Sequence, residues 1–239
     1  MIETINLTKK FKDKTAVDSL NLKIEKGELF SLLGTNGAGK TTTIKMLSFL
    51  SEPTSGQIII DKKSVGESAD EIKEILNLSP QETAIAPNLS VLENLEFMAG
   101  VYGIKNREQR IAELVKIFNL KDVLKQKAKT LSGGWQRKLS IAIALINNPK
   151  LLFLDEPTLG LDVISRRELW EIILGFKGDM TIILTTHYME EAEKLSDRIG
   201  IMVNGRLKCV GTPDELKEKA KTDDFEEAFV RLATGGETE

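Results

Sequence analysis

The chain of 239 residues has one cysteine, one histidine, two tryptophans and two tyrosines. A single thiol, Cys209, excludes an intrachain disulfide and a cysteine metal cluster, which suits a reducing compartment. Within the hairpin strand predicted around it, Cys209 reads as a small buried thiol. No uninterrupted apolar run approaches the roughly 18–20 residues that cross a bilayer, and Met1–Asn6 has no apolar signal core. Any membrane role is therefore expected to come through a partner chain. Net charge is only −3 although 29% of the residues are charged, so nothing biases the whole chain toward nucleic acid, and no such partner is expected. Internal repeats and low-complexity linkers are absent as well. The length suits one sizeable α/β domain, or a core carrying an inserted subdomain.

The most informative stretch is Gly34-Thr35-Asn36-Gly37-Ala38-Gly39-Lys40-Thr41-Thr42, with the spacing G-x-x-x-x-G-K-S/T of a phosphate-binding loop. Its glycines let the backbone turn successive N–H groups toward phosphate oxygens. Lys40 would reach the β- and γ-phosphates, and the Thr41 hydroxyl would sit on Mg²⁺. Leu29–Leu33 reads as a buried strand entering the loop, and Thr43, Ile44, Leu47 and Leu50 as a helical stripe leaving it. That context predicts a nucleoside triphosphate site at a helix N-terminus.

Before the loop, Ile2–Leu7 and Ala16–Ile24 read as strands. Phe11 sits between them in a polar segment, where an isolated Phe reads by itself as a small packing anchor. After the loop come a turn at Pro53–Gly56, a strand at Gln57–Ile60 and a strand-like run, Glu74–Ser79, leading to Gln81. Residues 82–130 change character. Ser90 and Glu93 form a capping box opening a helix to about Tyr102. Ile111, Leu114, Val115 and Phe118 mark a second helix. With no strand-like run among them, these residues read as a helical insertion. Leu151–Leu154 and Thr181–Leu184 are continuous apolar runs suited to parallel strands buried on both faces. Asn204-Gly205 predicts a hairpin turn, Thr212–Glu215 a capped helix with Pro at its first position, and Phe225, Ala228, Phe229 and Leu232 a last helical stripe before a frayed end. Trp170 reads as core, with Leu169, Ile172, Ile173 and Phe176.

Two further constellations bear on chemistry. Asp155-Glu156 follows the strand 151–154, so that Asp155 could hold Mg²⁺ and Glu156 could polarise a water for attack on the γ-phosphate. Paired acids after a strand are by themselves usually solvated. Ser132-Gly133-Gly134-Trp135-Gln136 opens a helix with the apolar stripe Leu139, Ala142, Ile143 and Ile146, a second candidate anion site. A two-fold dimer, each copy covering its partner's loop, would use both sites; the plain alternative is that Ser132 only caps its helix.

In this order the motifs resemble the ATP-binding subunits of ABC transporters, and the resemblance covers nearly the whole chain. It implies an α/β fold with a P-loop NTPase core: a mostly parallel sheet, an N-terminal antiparallel β part and an inserted helical subdomain. The expected division is 1–81 for the N-terminal core with its β part, 82–136 for the helical subdomain ending in the signature, 137–220 for the rest of the core, and 221–239 for a helix and tail. Nucleotide would contact Phe11, now expected to stack on adenine, and Asn36, Gly37, Ala38, Gly39, Lys40, Thr41 and Thr42. Glu156, His187 and Gln81 would be catalytic, with Thr41, Gln81 and Asp155 around the metal. Ser132, Gly133, Gly134 and Gln136 would form the signature acting on the partner's nucleotide, and Asp162 the D-loop. Trp135 departs from the family's usual Gln, and Val163 from its usual Pro.

Function expected from the resemblance is ATP hydrolysis, with ATP and Mg²⁺ as cofactors, driving transport. The partners would be a second ATP-binding subunit and separate transmembrane permease subunits, at the cytoplasmic face of the membrane. Pro87–Leu95, His187–Glu193 and Gly211–Leu216 resemble the drug, lipid and sodium exporter branch. The alternative is a soluble ABC-type ATPase acting on ribosomes or nucleic acid, which usually carries paired cassettes, a coiled coil or metal cysteines. A nucleotide kinase would leave Ser132–Gln136 and His187 without a role, and a regulatory module without turnover would not need Glu156. In Thr83–Leu89, a weakly charged stretch beside Gln81, Ile85 and Leu89 are candidates for receiving the membrane partner.

Overall fold

The computed structural model describes residues 1–66 and 68–235. In chain order the strands and helices are β1 Ile2–Phe11, β2 Lys14–Ile24, β3 Leu29–Leu33, α1 Lys40–Leu47, β4 Ser55–Ile60, β5 Lys63–Ser64, α2 Ala69–Ile75, β6 Leu76–Ser79, α3 Val91–Val101, α4 Arg107–Ile117, α5 Gly133–Ala144, β7 Leu151–Asp155, α6 Val163–Leu174, β8 Thr181–Thr186, α7 Met189–Leu195, β9 Arg198–Val203, β10 Arg206–Gly211, α8 Pro213–Ala220 and α9 Phe225–Thr234. Short 3-10 turns lie at Leu120–Val123 and Ala128–Thr130.

Two sheets organise these elements. The N-terminal one, in the order β2-β1-β4-β5, is antiparallel. The larger one has the order β10-β9-β3-β8-β7-β6, parallel throughout except at β10, which folds back on β9. Its central strands are buried on both faces, which is why they read as unbroken apolar runs. Residues alternate sides along β7. Leu151 and Phe153 face a core shared with α1 and the N-terminal sheet, including Ile44, Leu47, Val17, Ile24, Ile58 and Ile60. Leu152 and Leu154 face a second core built with Leu95, Leu114, Phe118, Leu139 and Ile143 of the helical region. A smaller cluster joins Leu33, Ile199 and Ile201 to Leu216, Phe225 and Phe229. Each fully buried Leu, Ile or Phe in these cores contributes about 1.5–3 kcal/mol.

Several local expectations hold at the residue level. The Ser90/Glu93 and Thr212/Glu215 capping boxes are both closed. Asn204 and Gly205 both take positive φ, as a tight hairpin between twisted strands requires. Trp170 is buried.

Others need correcting. Leu50 is not on the stripe of α1: the helix stops at Leu47, Phe49 takes φ 65°, and Leu50 is exposed. Glu74 and Ile75 end α2 rather than beginning a strand, so the run into Gln81 starts at Leu76. Phe11 ends β1 and is 52% exposed, too open for a packing anchor. Cys209 is half-buried rather than buried. The expected frayed end reaches past residue 235, outside the described residues.

Candidate functional site

Strands β3, β8 and β7 are neighbours, and all three end at the same edge of the sheet, where Leu33 pairs with Thr186 and Asp155 with Thr185. Loops leaving adjacent parallel strands at their carboxyl ends converge there. The phosphate-type loop leaves β3, Glu156 follows β7 and His187 follows β8. A cavity of about 530 Å³ opens at this edge, lined by Phe11, Lys14, Ala16, Asn36, Gly37, Ala38, Gly39, Lys40, Thr41, Thr42, Gln81, Glu156, Leu159 and His187. Its volume falls in the range of small-molecule sites.

The loop is shaped by close backbone approach. A Cβ on Gly34 would lie 2.3 Å from the Met202 carbonyl oxygen. Gly39, at φ 104°, caps α1, and a Cβ there would lie 2.5 Å from the Ala16 carbonyl oxygen. Only glycine fits both positions.

Charge is concentrated beneath the loop. Lys40 is 5% exposed, and its Nζ donates to the Gly34 carbonyl at 2.8 Å and the Thr35 carbonyl at 3.2 Å. The same ammonium lies 3.1 Å from Glu156 Oε1, while Glu156 Oε2 lies 2.7 Å from His187 Nδ1. Glu156 is thus held between a lysine and the only histidine. Its backbone takes φ 48°, uncommon for a residue with a side chain. Asp155 Oδ1 accepts from Thr41 Oγ1 at 3.0 Å and Thr185 Oγ1 at 2.5 Å, and Thr185 Oγ1 also lies 3.1 Å from the Glu156 backbone nitrogen.

Of the site residues read from the sequence, Phe11, Asn36–Thr42, Gln81, Glu156 and His187 share this cavity, and Asp155 touches it through Thr41. Ser132, Gly133, Gly134 and Gln136 do not line it. Ser132 precedes α5, but its side chain makes no capping bond, against the plain reading. The Gln136 amide faces inward, donating to the Ala128 and Leu131 carbonyls. Asp162 caps α6 by accepting from the Ile164 and Ser165 amides, and its pKa is lowered, chiefly by the Ser165 hydroxyl and then by these amides.

Sequence reasoning passed over Thr185, Arg137 and Glu191. Arg137, on α5, is 5% exposed and donates from Nη1 to the Pro80 carbonyl at 2.7 Å and from Nη2 to the Gln81 carbonyl. Burial lowers its pKa. Glu191, in the first turn of α7, is fully buried; Oε1 accepts from Thr158 Oγ1 at 2.8 Å and Trp170 Nε1 at 3.0 Å, whereas Oε2 has no partner among the described residues. Burial raises its pKa, an effect outweighing these hydrogen bonds. No local pattern marks either residue, because their partners come from distant segments.

Residues 17–159 match the family described as ABC transporter. The probable multidrug ABC transporter ATP-binding protein YbhF of Escherichia coli (strain K12) is 41% identical over 241 residues, covering 97% of this chain and 41% of that protein. Human phospholipid-transporting ATPase ABCA3 is 45% identical over 210 residues, covering 87% of this chain and 12% of that protein. The chain therefore spans less than half of the length of these curated relatives. Among solved structures, an ATP-binding subunit of an ABC transporter superposes with a TM-score of 0.86 at 29% identity, covering 97% of this chain and 99% of that one. A dimeric ATP-binding cassette in a post-hydrolysis state, bound to ADP and Pi, superposes with a TM-score of 0.80 at 27% identity, covering 89% and 98%.

Proposed function

The chain belongs to the ABC transporter family, and from that premise we propose that it binds and hydrolyses ATP as the energising part of a transporter of the exporter branch. The observation that carries this reading is the cluster Lys40–Glu156–His187 inside the cavity formed by the phosphate-type loop. Glu156 is engaged at both oxygens, by Lys40 and by His187. A γ-phosphate reaching Lys40 would compete for the ammonium and leave Glu156 able to accept a proton from an attacking water. His187, hydrogen-bonded to the same carboxylate and lining the same cavity, would contact that phosphate. Phe11, exposed at the cavity mouth, would offer its ring to the base.

The oxygen donors fit Mg²⁺. Thr41 Oγ1 and Asp155 Oδ1 are 3.0 Å apart, and Gln81 lines the same cavity as Thr41. Among the described residues no group of three or more His, Cys, Asp or Glu gathers to hold an ion, and a small hard cation sharing phosphate oxygens and water needs only one or two carboxylates. Bound there, Mg²⁺ would neutralise charge on the β- and γ-phosphates.

The signature residues are proposed to act on a second copy or related subunit, and the dimeric cassette bound to ADP and Pi supports that arrangement. No described helix is long and apolar enough to cross a membrane. Transport is therefore assigned to permease segments beyond this chain, with attachment at the cytoplasmic membrane face. Ile85 and Leu89 remain the proposed docking residues, partly buried on a loop held by Asn94, whose amide pairs with both Ala86 backbone groups. The exported substrate class follows only from the relatives' names, multidrug and phospholipid.

The test is Glu156→Gln. ATP binding is expected to persist, hydrolysis to fall by about 10²–10⁴-fold, and dimers to accumulate with ATP and Mg²⁺ by light scattering. Undiminished turnover would remove Glu156 from its role. Lys40→Ala should instead weaken nucleotide binding by about 10- to 100-fold, the loss of a charge-assisted hydrogen bond of about 1.5–3 kcal/mol.

A further inference from the structure

Helix α5 holds the segment around Gln81 from one face. Arg137 donates to the carbonyls of Pro80 and Gln81. One turn on, the Ser140 hydroxyl lies 3.2 Å from Ser79 Oγ and 3.4 Å from the Ala84 amide nitrogen. Positions three apart lie on the same side of a helix, so Ser79 at the end of β6 and positions 80, 81 and 84 of the loop after it are fastened to a single stripe of α5. The same helix begins at Gly133, directly after Ser132.

Arg137 is unusual among the cations near the site. Lys40 is paired with Glu156, and its neighbour Lys138 with Glu168 at 2.7 Å. Arg137 is as buried as either, yet forms no ion pair among the described residues. A buried charge without a counter-ion is costly unless well-placed acceptors satisfy it. Its planar fork meets two successive carbonyls, a geometry a lysine ammonium cannot copy.

We propose that Arg137 is a positioning residue that sets where the Gln81 side chain stands in the nucleotide cavity, by fixing the backbone of Gln81 to the helix that carries the signature. The inference rests on the proposed role of Gln81 as an oxygen donor to Mg²⁺.

The experiment uses Arg137→Met, Arg137→Lys, Gln81→Ala and the Gln81→Ala/Arg137→Met double variant. Gln81→Ala removes only the side-chain oxygen and leaves the carbonyl that Arg137 holds. In Arg137→Met the half-saturating Mg²⁺ for hydrolysis should rise about tenfold, the lower range for loss of a group that orients a ligand, while affinity for a fluorescent ATP analogue in EDTA stays within about twofold. Gln81→Ala should show the same rise, and the double variant no more than Gln81→Ala alone, since both changes act through one oxygen. Arg137→Lys should fall between wild type and Met.

Hydrogen exchange of the nucleotide-free chain reads the clamp directly: the Ala84 and Ala86 amides should exchange about tenfold faster in Arg137→Met. An Arg137→Met protein with unchanged Mg²⁺ requirement, beside a Gln81→Ala protein whose requirement has risen, overturns the proposal. Multiplying effects in the double variant overturn it too. If Gln81→Ala leaves the Mg²⁺ requirement unmoved, the reading of Gln81 as ligand fails instead, and the exchange rates then decide whether the clamp stands. Should Arg137→Met not fold, Arg137→Lys carries the same comparison.

Discussion

Helices α3 and α5 begin almost alike, and the difference between their first residues separates structure from function. Each is preceded by an extended serine, Ser90 at φ −68°, ψ 169° and Ser132 at φ −64°, ψ 160°. Ser90 is engaged by its own helix: its hydroxyl accepts from the Glu93 amide while the Glu93 carboxylate accepts from the Ser90 amide. Ser132 caps nothing. Where Glu93 would close the box, α5 has Trp135, whose ring lies 4.8 Å from the Lys138 ammonium. Before it stand two glycines with no carboxylate in the first turn. A helix start left with free amides and an unengaged hydroxyl suits an anion brought by another molecule; one closed by its own glutamate does not.

The largest effect that would sharpen this contrast is expected from Gly133→Asp. A Cβ at Gly133 meets nothing within 4 Å, so the chain has room for it. A carboxylate in the first turn of α5 favours the helix by about 0.3–1 kcal/mol through its dipole. Placed where a phosphate is expected, it should lower hydrolysis by about 100-fold or more, as removal of a stabilising donor does elsewhere. Activity and stability should therefore move in opposite directions, read by phosphate release and by urea denaturation. Parallel losses would mean that the start of α5 is structural, like that of α3.

A smaller effect comes from exchanging the two serines for alanine. Ser90→Ala should cost about 1 kcal/mol of stability, within the range measured for lost caps, and leave hydrolysis per folded molecule unchanged. Ser132→Ala should change stability by less than about 0.5 kcal/mol, because no bond is lost. It should reduce hydrolysis at concentrations where the chain dimerises, and leave ATP binding by dilute protein intact. Equal stability losses in the two variants would end the distinction.

These contrasts also mark what the sequence could express. Both capping boxes, the Asn204-Gly205 turn, the glycines of the phosphate-type loop and the apolar runs of β7 and β8 are local: the residues that make each feature lie within a few positions of one another. A phosphate-type loop between a strand and a helix, with further buried strands after it, agrees with the mostly parallel sheet that the family resemblance implied. Failures arose at the ends of elements and where a distant segment decided. Glu74 and Ile75 precede an extended run yet finish α2, and Leu50 continues a helical spacing after Phe49 has turned the chain away. Arg137 and Glu191 carry no local mark of their burial. They are buried by partners 56 and 33 positions away, respectively the Gln81 carbonyl and Thr158. Ser132 is the reverse case, since its place in a motif was legible while its lack of a capping bond was not.

A third helix start extends the comparison to its smallest expected effect. Glu191 is the third residue of α7, the position from which Glu93 closes the box of α3. Instead of capping α7 it turns away from that helix's own start to Thr158, beyond Glu156, and to Trp170 of α6. In this fully buried site burial holds its pKa above the usual 4.5, against the hydrogen bonds from Thr186, Thr158 and Trp170 that favour the charge. The folded state then keeps a proton that the unfolded chain releases. The stability gained from that proton is complete below the unfolded value and is lost as pH rises through the folded value.

Glu191→Gln keeps an oxygen for Thr158 and Trp170 and cannot ionise. Relative to wild type it should therefore gain stability as pH rises from about 4.5 toward the folded value, at up to about 1.4 kcal/mol per pH unit inside that window. Urea denaturation at a series of pH values between 5 and 9 measures it. Curves for the two proteins that run parallel over the whole range would show that Glu191 is ionised in the fold. It would then belong, like Asp162, with carboxylates whose hydrogen bonds favour the charge.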